Sequence, residues 1–279
     1  MRIWAGKIIE ITYGNSIKDK LALLLHRIIS SFSYRILRKR GYALNQGTIL
    51  QKLIHNRIVN VNSIKYSLVD YESLSIVLPK FEQEMREYLK PKRGEVFIDV
   101  GAHIGKYALQ VARIVGHEGL VVAVEPNSEN YQALTKAVQL NSFKNVVLLN
   151  MAAWSQNCKL KVFFGDSSGH HTANKDTGFG HFEVEAKTLD SMIHHLKIKH
   201  VDWIKIDVES AEFEVLKGLT RTLAEMRPKI IVETFLKNLK DVENLLKKYN
   251  YKITRLQGLN LRGKGLGGLD FNYLYCEPI

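Results

Sequence analysis

Cysteine is scarce in this 279-residue chain: Cys158 and Cys276 lie far apart, outside any CxxC or Cys/His ligand spacing. That excludes a disulfide framework and a structural zinc site, and it suits a reducing cytoplasm. The opening stretch MRIWAGKIIEITYGN lacks the basic start, apolar core and small-residue cleavage site of a secretory signal, so a cytoplasmic chain is expected. Long uncharged runs are missing too. A membrane span needs about 20 nearly uncharged residues, and the best candidate, Ile17 to Arg40, is interrupted by Arg27 and Arg35. No internal repeat is visible. Acidic excess is absent: 40 Lys and Arg against 28 Asp and Glu leave a net charge of +12. Such a balance invites nucleic acid or an anionic membrane as partner. The basic excess, however, is concentrated in the N-terminal third, and a solvated basic surface explains it equally well. With 46% apolar and 24% charged residues, wholesale disorder is excluded.

What is present divides into an N-terminal extension, residues 1–78, and a main domain, residues 79–279. In the extension Ile17, Leu21, Leu24, Leu25, Ile28, Phe32 and Ile36 recur at three- and four-residue steps, forming one apolar stripe of a helix over Ile17 to Arg40. Lys20, Arg27 and Arg38 fall to another side. Such a helix either packs its stripe on the main domain or lies weakly on a membrane surface through residues 17–40. From Ile49 to Asp70, β-branched residues and short alternations suggest two or three strands. Pro79 is expected to open a short helix through Leu89, and Pro91 to Gly94 form a turn.

Beyond that turn, strands alternate with helices. Val96–Val100, Leu120–Val124, Val146–Leu149, Val201–Ile206 and Lys229–Val232 read as buried strands. Between and after them, Ile104–Val115, Asn127–Leu140, Ala211–Leu223 and Asn238–Tyr249 read as helices. This predicts an α/β fold: a doubly wound, mostly parallel, Rossmann-like sheet whose ligand crevice lies at the strands' carboxyl ends. Tyr251–Leu256 and Phe271–Cys276 are expected to close it with an antiparallel hairpin.

The first strand runs into Asp99-Val-Gly101-Ala-His103-Ile-Gly105. Glycines at such a turn permit unusual dihedrals and let a ligand approach backbone amides. A P-loop is excluded, because only three residues separate the glycines and Tyr107 follows Lys106; a dinucleotide fingerprint is excluded because position 103 is His. The second strand ends in Glu125-Pro126, where a carboxylate is placed to accept from the ribose hydroxyls of an adenosine cofactor; capping the next helix is its alternative. The third strand ends at Asn150-Met151-Ala152, on the adenine side of such a pocket, or as a plain strand end. Asp99, Gly101, His103, Gly105, Glu125, Asn150 and Ala152 are therefore the candidate cofactor-binding residues.

In order and spacing, VFIDVGAHIGKYAL, VVAVEPNSENYQAL, TLDSM, DWIKIDVESAEFEVLKGL and RPKIIVE resemble the successive blocks of the FkbM methyltransferases, over about Phe81 to Glu233. The resemblance implies a class I methyltransferase that uses S-adenosylmethionine, typically on hydroxyls of polyketides, sugars or related metabolites. Two positions depart from the family pattern: His103 stands where Asn is usual, and Ser210 where Gly is usual.

Methyl transfer to an alcohol calls for alignment and proton removal. Asp207, at the end of the fourth strand, and Glu209, two residues on, are candidate bases. A divalent metal held by Asp207, Glu209 and Glu233 is an alternative way to acidify the hydroxyl, and a helix N-terminal role competes for Glu209 and Glu212. His170, in the segment DSSGHHTANKDTGFGH read as a long loop, is a third catalytic candidate. The Gly-rich stretch Gly258 to Asp270 is a candidate lid. The acceptor expected is a small metabolite, glycan or lipid-linked sugar. Nucleic-acid methylation is the second reading, weakened by the lack of a D/N-P-P-aromatic motif and of a Pro-Cys nucleophile. A non-catalytic cofactor-binding module, partnered with glycosyltransferases, is the third.

Overall fold

The computed structural model describes residues 11–37, 49–165, 167–173, 176–256 and 271–279. In chain order the elements begin with helices α1 (Ile17–Leu37) and α2 (Ile49–Ile54), strands β1 (Ile58–Val61) and β2 (Ile64–Ser67), and helix α3 (Tyr71–Val77). Then come β3 (Val96–Val100), α4 (Lys106–Val115), β4 (Leu120–Val124), α5 (Ser128–Leu140), β5 (Val146–Leu149), β6 (Ala152–Ala153), β7 (Cys158–Phe163), β8 (His181–Lys187) and α6 (Leu189–His195). The chain finishes with β9 (Trp203–Ile206), α7 (Glu212–Lys217), α8 (Thr220–Glu225), β10 (Lys229–Phe235), α9 (Leu236–Lys248), β11 (Tyr251–Arg255) and β12 (Phe271–Pro278).

The main sheet has seven strands in the order β11-β12-β10-β9-β3-β4-β5. Strands β5, β4, β3, β9 and β10 pair in parallel, and β12 runs antiparallel between β10 and β11. The doubly wound sheet with a terminal antiparallel hairpin strand is thus present. Its central strands are buried because they carry aliphatic residues on both faces. One face packs Phe97, Val121 and Trp203 against α4 and α5, and the same core takes in Val59, Ile64, Tyr66, Leu68 and Leu74 of the N-terminal segment. The other face packs Ile98, Val122, Ile204 and Ile230 against Leu189, Val215, Leu223, Val242 and Leu246.

Several sequence expectations change. Residues Ile49–Ile54 are helical, leaving two strands before Asp70. The short helix expected from Pro79 through Leu89 is reduced to a 3-10 helix, Gln83–Glu87. Pro79 itself follows α3, which is started by Asp70, whose carboxylate accepts from Ser73 N at 2.8 Å in a capping box, with Leu78 turning extended ahead of the proline. The expected helix Ala211–Leu223 breaks into α7 and α8 at Gly218, which is pressed against the Trp154 carbonyl. The loop DSSGHHTANKDTGFGH is flanked by an antiparallel pair that was not expected, β7 and β8, which β6 joins to form a second, three-stranded sheet. Among the described residues no helix is long and apolar enough to cross a membrane. The stretch Gly258 to Asp270 lies outside the described residues, as do Arg38, Lys39 and Arg40.

Helix α1 packs on the extension, but with a different face from the one expected. Asp19, Ala22, Leu23 and His26 are buried, while Ile17, Leu21, Leu24, Leu25 and Ile28 are exposed. Asp19 caps its own helix through Ser16 and also accepts from Ile58 N at 3.3 Å. His26 stacks on Tyr71 with ring centroids 4.8 Å apart.

Candidate active site

The glycine turn is built by close approach of two strand ends. Gly101 has φ +78, and a Cβ there would be driven into the Asp207 carbonyl oxygen, far inside the 3.0 Å that real Cβ atoms respect. Only glycine lets the turn lie against the end of β9. His103 follows in a left-handed conformation at φ +50, which Asn and His adopt more readily than most residues. Gly105, at φ +90, starts α4. Asp99 is buried beneath the turn, accepting from Ala108 N at 2.9 Å, 3.7 Å from Lys205 Nζ. Burial pushes its carboxyl up to about 6, against the pull of Lys205.

Glu125 is buried at the end of β4. One of its oxygens accepts from His103 N at 2.8 Å and the other from Asn127 N at 3.0 Å and Asn130 Nδ2 at 3.3 Å. Burial pushes this carboxyl up to about 7, partly offset by those amides. Its alternative role as helix cap falls to Asn127, whose side chain accepts from Glu129 N and Asn130 N. Asn150 takes a different place from the one expected: its amide is held by the carbonyls of Glu125, at 2.9 Å, and Pro126, at 3.2 Å. It braces the loop, and Ala152 lines the crevice.

At the end of β9, Lys205 is buried between Asp207, at 3.0 Å, and Asp99. Burial alone would depress its ammonium, but Asp207, Asp99 and Glu82 together raise it above its usual range. Glu209 and Ser210 both adopt positive φ, +50 and +82. The glycine usual at the second position would sit there without strain, and serine does not. Glu209 is pushed up to about 8 by burial, then by Asp207. Glu212, fully buried, accepts from Ser210 N at 2.8 Å and so clamps the turn. Glu233 is raised well above the carboxylate range by burial, then by Asp207 and Glu209. Tyr273 donates to Glu233 and lies 2.6 Å from Glu82, which also accepts from Lys106 at 2.8 Å and from Tyr107. The alternative metal set of Asp207, Glu209 and Glu233 finds no support in the geometry: among the described residues no three His, Cys, Asp or Glu side chains gather as a metal-holding group.

The segment before β8 straps over these groups. Ser168 is its hub: its amide and hydroxyl donate to Asp70 at 2.8 and 2.9 Å, its carbonyl accepts from Asn130 at 2.8 Å, and His103 Nε2 lies 2.7 Å from its hydroxyl. His170 pairs with Glu72 at 3.3 Å, and Thr172 donates to the Glu209 carbonyl at 2.7 Å. Beneath the strap lies a cavity of about 750 Å³, within the size range of small-molecule sites. Gly101, His103, Glu125, Ala152, His170, Asp207 and Glu209 line it; Asp99, Gly105 and Asn150 support it from behind. The residues not singled out from sequence include Lys205, Ser168, Glu82, Asn130 and Tyr273. Lys205 left a signal, a charge inside the apolar strand WIKI, whereas Ser168 left none.

A parallel sheet in this order, with a glycine turn after its first strand, an acid after its second and a cavity at their carboxyl ends, defines a class I S-adenosylmethionine-dependent methyltransferase. Residues 99–253 match the methyltransferase FkbM domain, over half of the chain, and the chain belongs to that family. It is similar to methyltransferase sdnD of Sordaria araneosa, 26% identical over 57% of this chain and 74% of that protein. It is also similar to hexuronic acid methyltransferase AglP of Haloferax volcanii, 28% identical over 58% of this chain and 66% of that protein. The crystal structure of methyltransferase FkbM from Methylobacillus flagellatus KT covers 74% of this chain at 17% identity, with a TM-score of 0.49; this chain spans about half, 52%, of that one.

Proposed function

We propose that residues 79–279 methylate a hydroxyl of a small polar acceptor, a sugar being the class favoured, with Glu209 as general base and residues 1–78 as an extension. S-adenosylmethionine, when bound, supplies an electrophilic methyl group on a cationic sulfonium. Gly101, His103, Glu125, Asn130 and Ala152 would hold it. The fit is supported by His103 Nδ1 and Asn130 Oδ1, buried atoms of cavity-lining residues with no hydrogen-bond partner among the described residues. Glu209 carries the reading of the chemistry. It lines the cavity, is held there by a strained turn and by Thr172, and burial pushes its carboxyl up to about 8, so that the deprotonated form is a strong enough base to take a hydroxyl proton. Asp207 is tied to buried Lys205, so its charge orients rather than abstracts. The lining sets carboxyl groups, Glu72, Asp207, Glu209 and Glu233, beside Lys80, Lys106 and Lys205, a polar surface that suits a hydroxyl-bearing acceptor. A relative whose name specifies hexuronic acid supports a sugar.

The test is tritiated-methyl transfer from S-adenosylmethionine to a panel of sugars and glycosides, followed by Glu209→Gln on any acceptor found. The variant should lose about 100-fold or more in kcat while cofactor affinity stays within about 3-fold, and wild-type rate should rise with pH through about 8. A near-normal rate in Glu209→Gln removes it as base.

A further inference from the structure

We propose that α1 docks this protein on an anionic lipid surface through its outward apolar stripe. The helix has two faces with separate uses. At about 100° per residue, Asp19, Ala22, Leu23 and His26 share the side turned to the protein, where they are buried. On the opposite side Ile17, Leu21, Leu24, Leu25 and Ile28 are 79, 53, 36, 47 and 55% exposed. These five aliphatic side chains form one stripe about 100° wide and about 16 Å long. The domain contact is already made by the other face, through Asp19 to Ile58 and His26 on Tyr71, so the stripe is not a core face left unclosed.

Charge placement selects the occupant. Lys18 borders the stripe on one side and Lys20 borders it on the other. The only carboxylate of the helix, Asp19, is turned inward and spent on the cap and on Ile58. An apolar stripe between basic margins is the arrangement that enters the acyl boundary while its cations meet anionic headgroups. A second copy on the same face would bring these like-charged margins together, and an anionic lipid surface neutralises them. The sequence beyond the helix, Arg38-Lys39-Arg40, adds charge of the same sign. The helix also reaches the site: His26 stacks on Tyr71, and the next residue, Glu72, lines the cavity.

Flotation of the full chain with vesicles tests this. Phosphatidylcholine vesicles carrying about one third phosphatidylglycerol should bind the protein at low salt; pure phosphatidylcholine should not, and high salt should release it. Leu21→Gln with Leu25→Gln, and separately Lys18→Glu with Lys20→Glu, should each weaken binding about 10-fold or more. All four positions are exposed, so the thermal midpoint and S-adenosylmethionine affinity of both variants should match wild type. Absence of wild-type binding to the anionic vesicles overturns the proposal, as does equal, salt-independent binding to neutral ones. A dimer in sedimentation equilibrium that the leucine variant dissolves, without vesicle binding, assigns the stripe to a second copy and overturns it too.

Discussion

Replacing Gly101 by alanine tests how the glycine turn after β3 is held, and Gly94 supplies its control. Both glycines have similar dihedrals, φ +78 and φ +82. A Cβ at Gly94 meets nothing within 4 Å, whereas one at Gly101 collides with the main-chain carbonyl of Asp207. Gly94→Ala therefore carries the left-handed penalty alone, roughly 1–2 kcal/mol. Gly101→Ala adds an overlap that no side-chain rotation relieves. Strands β3 and β9 are locked in register from Phe97–Trp203 to Val100–Ile206, and Asp207 N donates to the Val100 carbonyl at 3.0 Å. Opening the gap strains or breaks that bond, worth about 1 kcal/mol, and disturbs packing by roughly 1–3 kcal/mol. The expected total is about 3–6 kcal/mol. Urea unfolding of the two variants reads the difference, about 2 kcal/mol or more, and calorimetry should show S-adenosylmethionine binding kept in Gly94→Ala and lost in Gly101→Ala. Equal destabilisation of the two would refute the idea that the turn is defined by its contact with Asp207.

Glu125→Ala should weaken S-adenosylmethionine binding by about 10-fold or more, because the bonds that fix His103 and those available to a ribose disappear together; unchanged affinity in a folded variant, by calorimetry, would sink the assignment. Asp207→Asn should lower turnover, with cofactor affinity within a few-fold, and should also lower the urea midpoint, since buried Lys205 loses its nearest counter-charge and keeps only the weaker pull of Asp99 and Glu82. In the ligand-free protein Glu125, Glu212 and Glu209 titrate at about 7, 7 and 8, all raised mainly by burial. Raised carboxyls contribute stability that is complete below their unfolded values and is lost as pH climbs through the folded ones. His103 and His171, lowered to about 4 by burial, act the opposite way, but only below about 6.5. Urea midpoints should therefore fall between about pH 6.5 and 8, by roughly 1 kcal/mol or more, and a rise across that window would contradict the burial of these groups.

The main sheet was legible because its strands are short apolar runs with few polar interruptions, and Val96–Val100, Leu120–Val124 and Val146–Leu149 fall where the sequence puts them. Much of the crevice was legible as well, since strand-end glycines and acids occur at fixed offsets from those runs. The second sheet was not, because attention to the Gly, Ser and Asp of the insertion hid the alternating exposure of β7 and β8 on either side. The buried face of α1 was misassigned for a physical reason. Periodicity identifies an apolar face but not which face meets the protein, and here a capping Asp19 and a stacked His26 made the inward contacts. Ser168 is a hub through partners distant in sequence, Asp70, His103 and Asn130, which spacing does not reveal.

Lys205 also has an evolutionary consequence. Its ammonium lies between two carboxylates at the ends of adjacent strands, Asp99 on β3 and Asp207 after β9. Losing the lysine alone leaves Asp99 and Asp207 facing each other; losing either acid leaves a cation short of a partner in a dry interior. Neutral drift through single substitutions is thus blocked at each corner, and the triad is inherited or replaced as one unit. Homologous chains should fall into two discrete sets at positions 99, 205 and 207, with few intermediates between them, which makes the trio a lineage marker independent of any acceptor the enzymes have come to use.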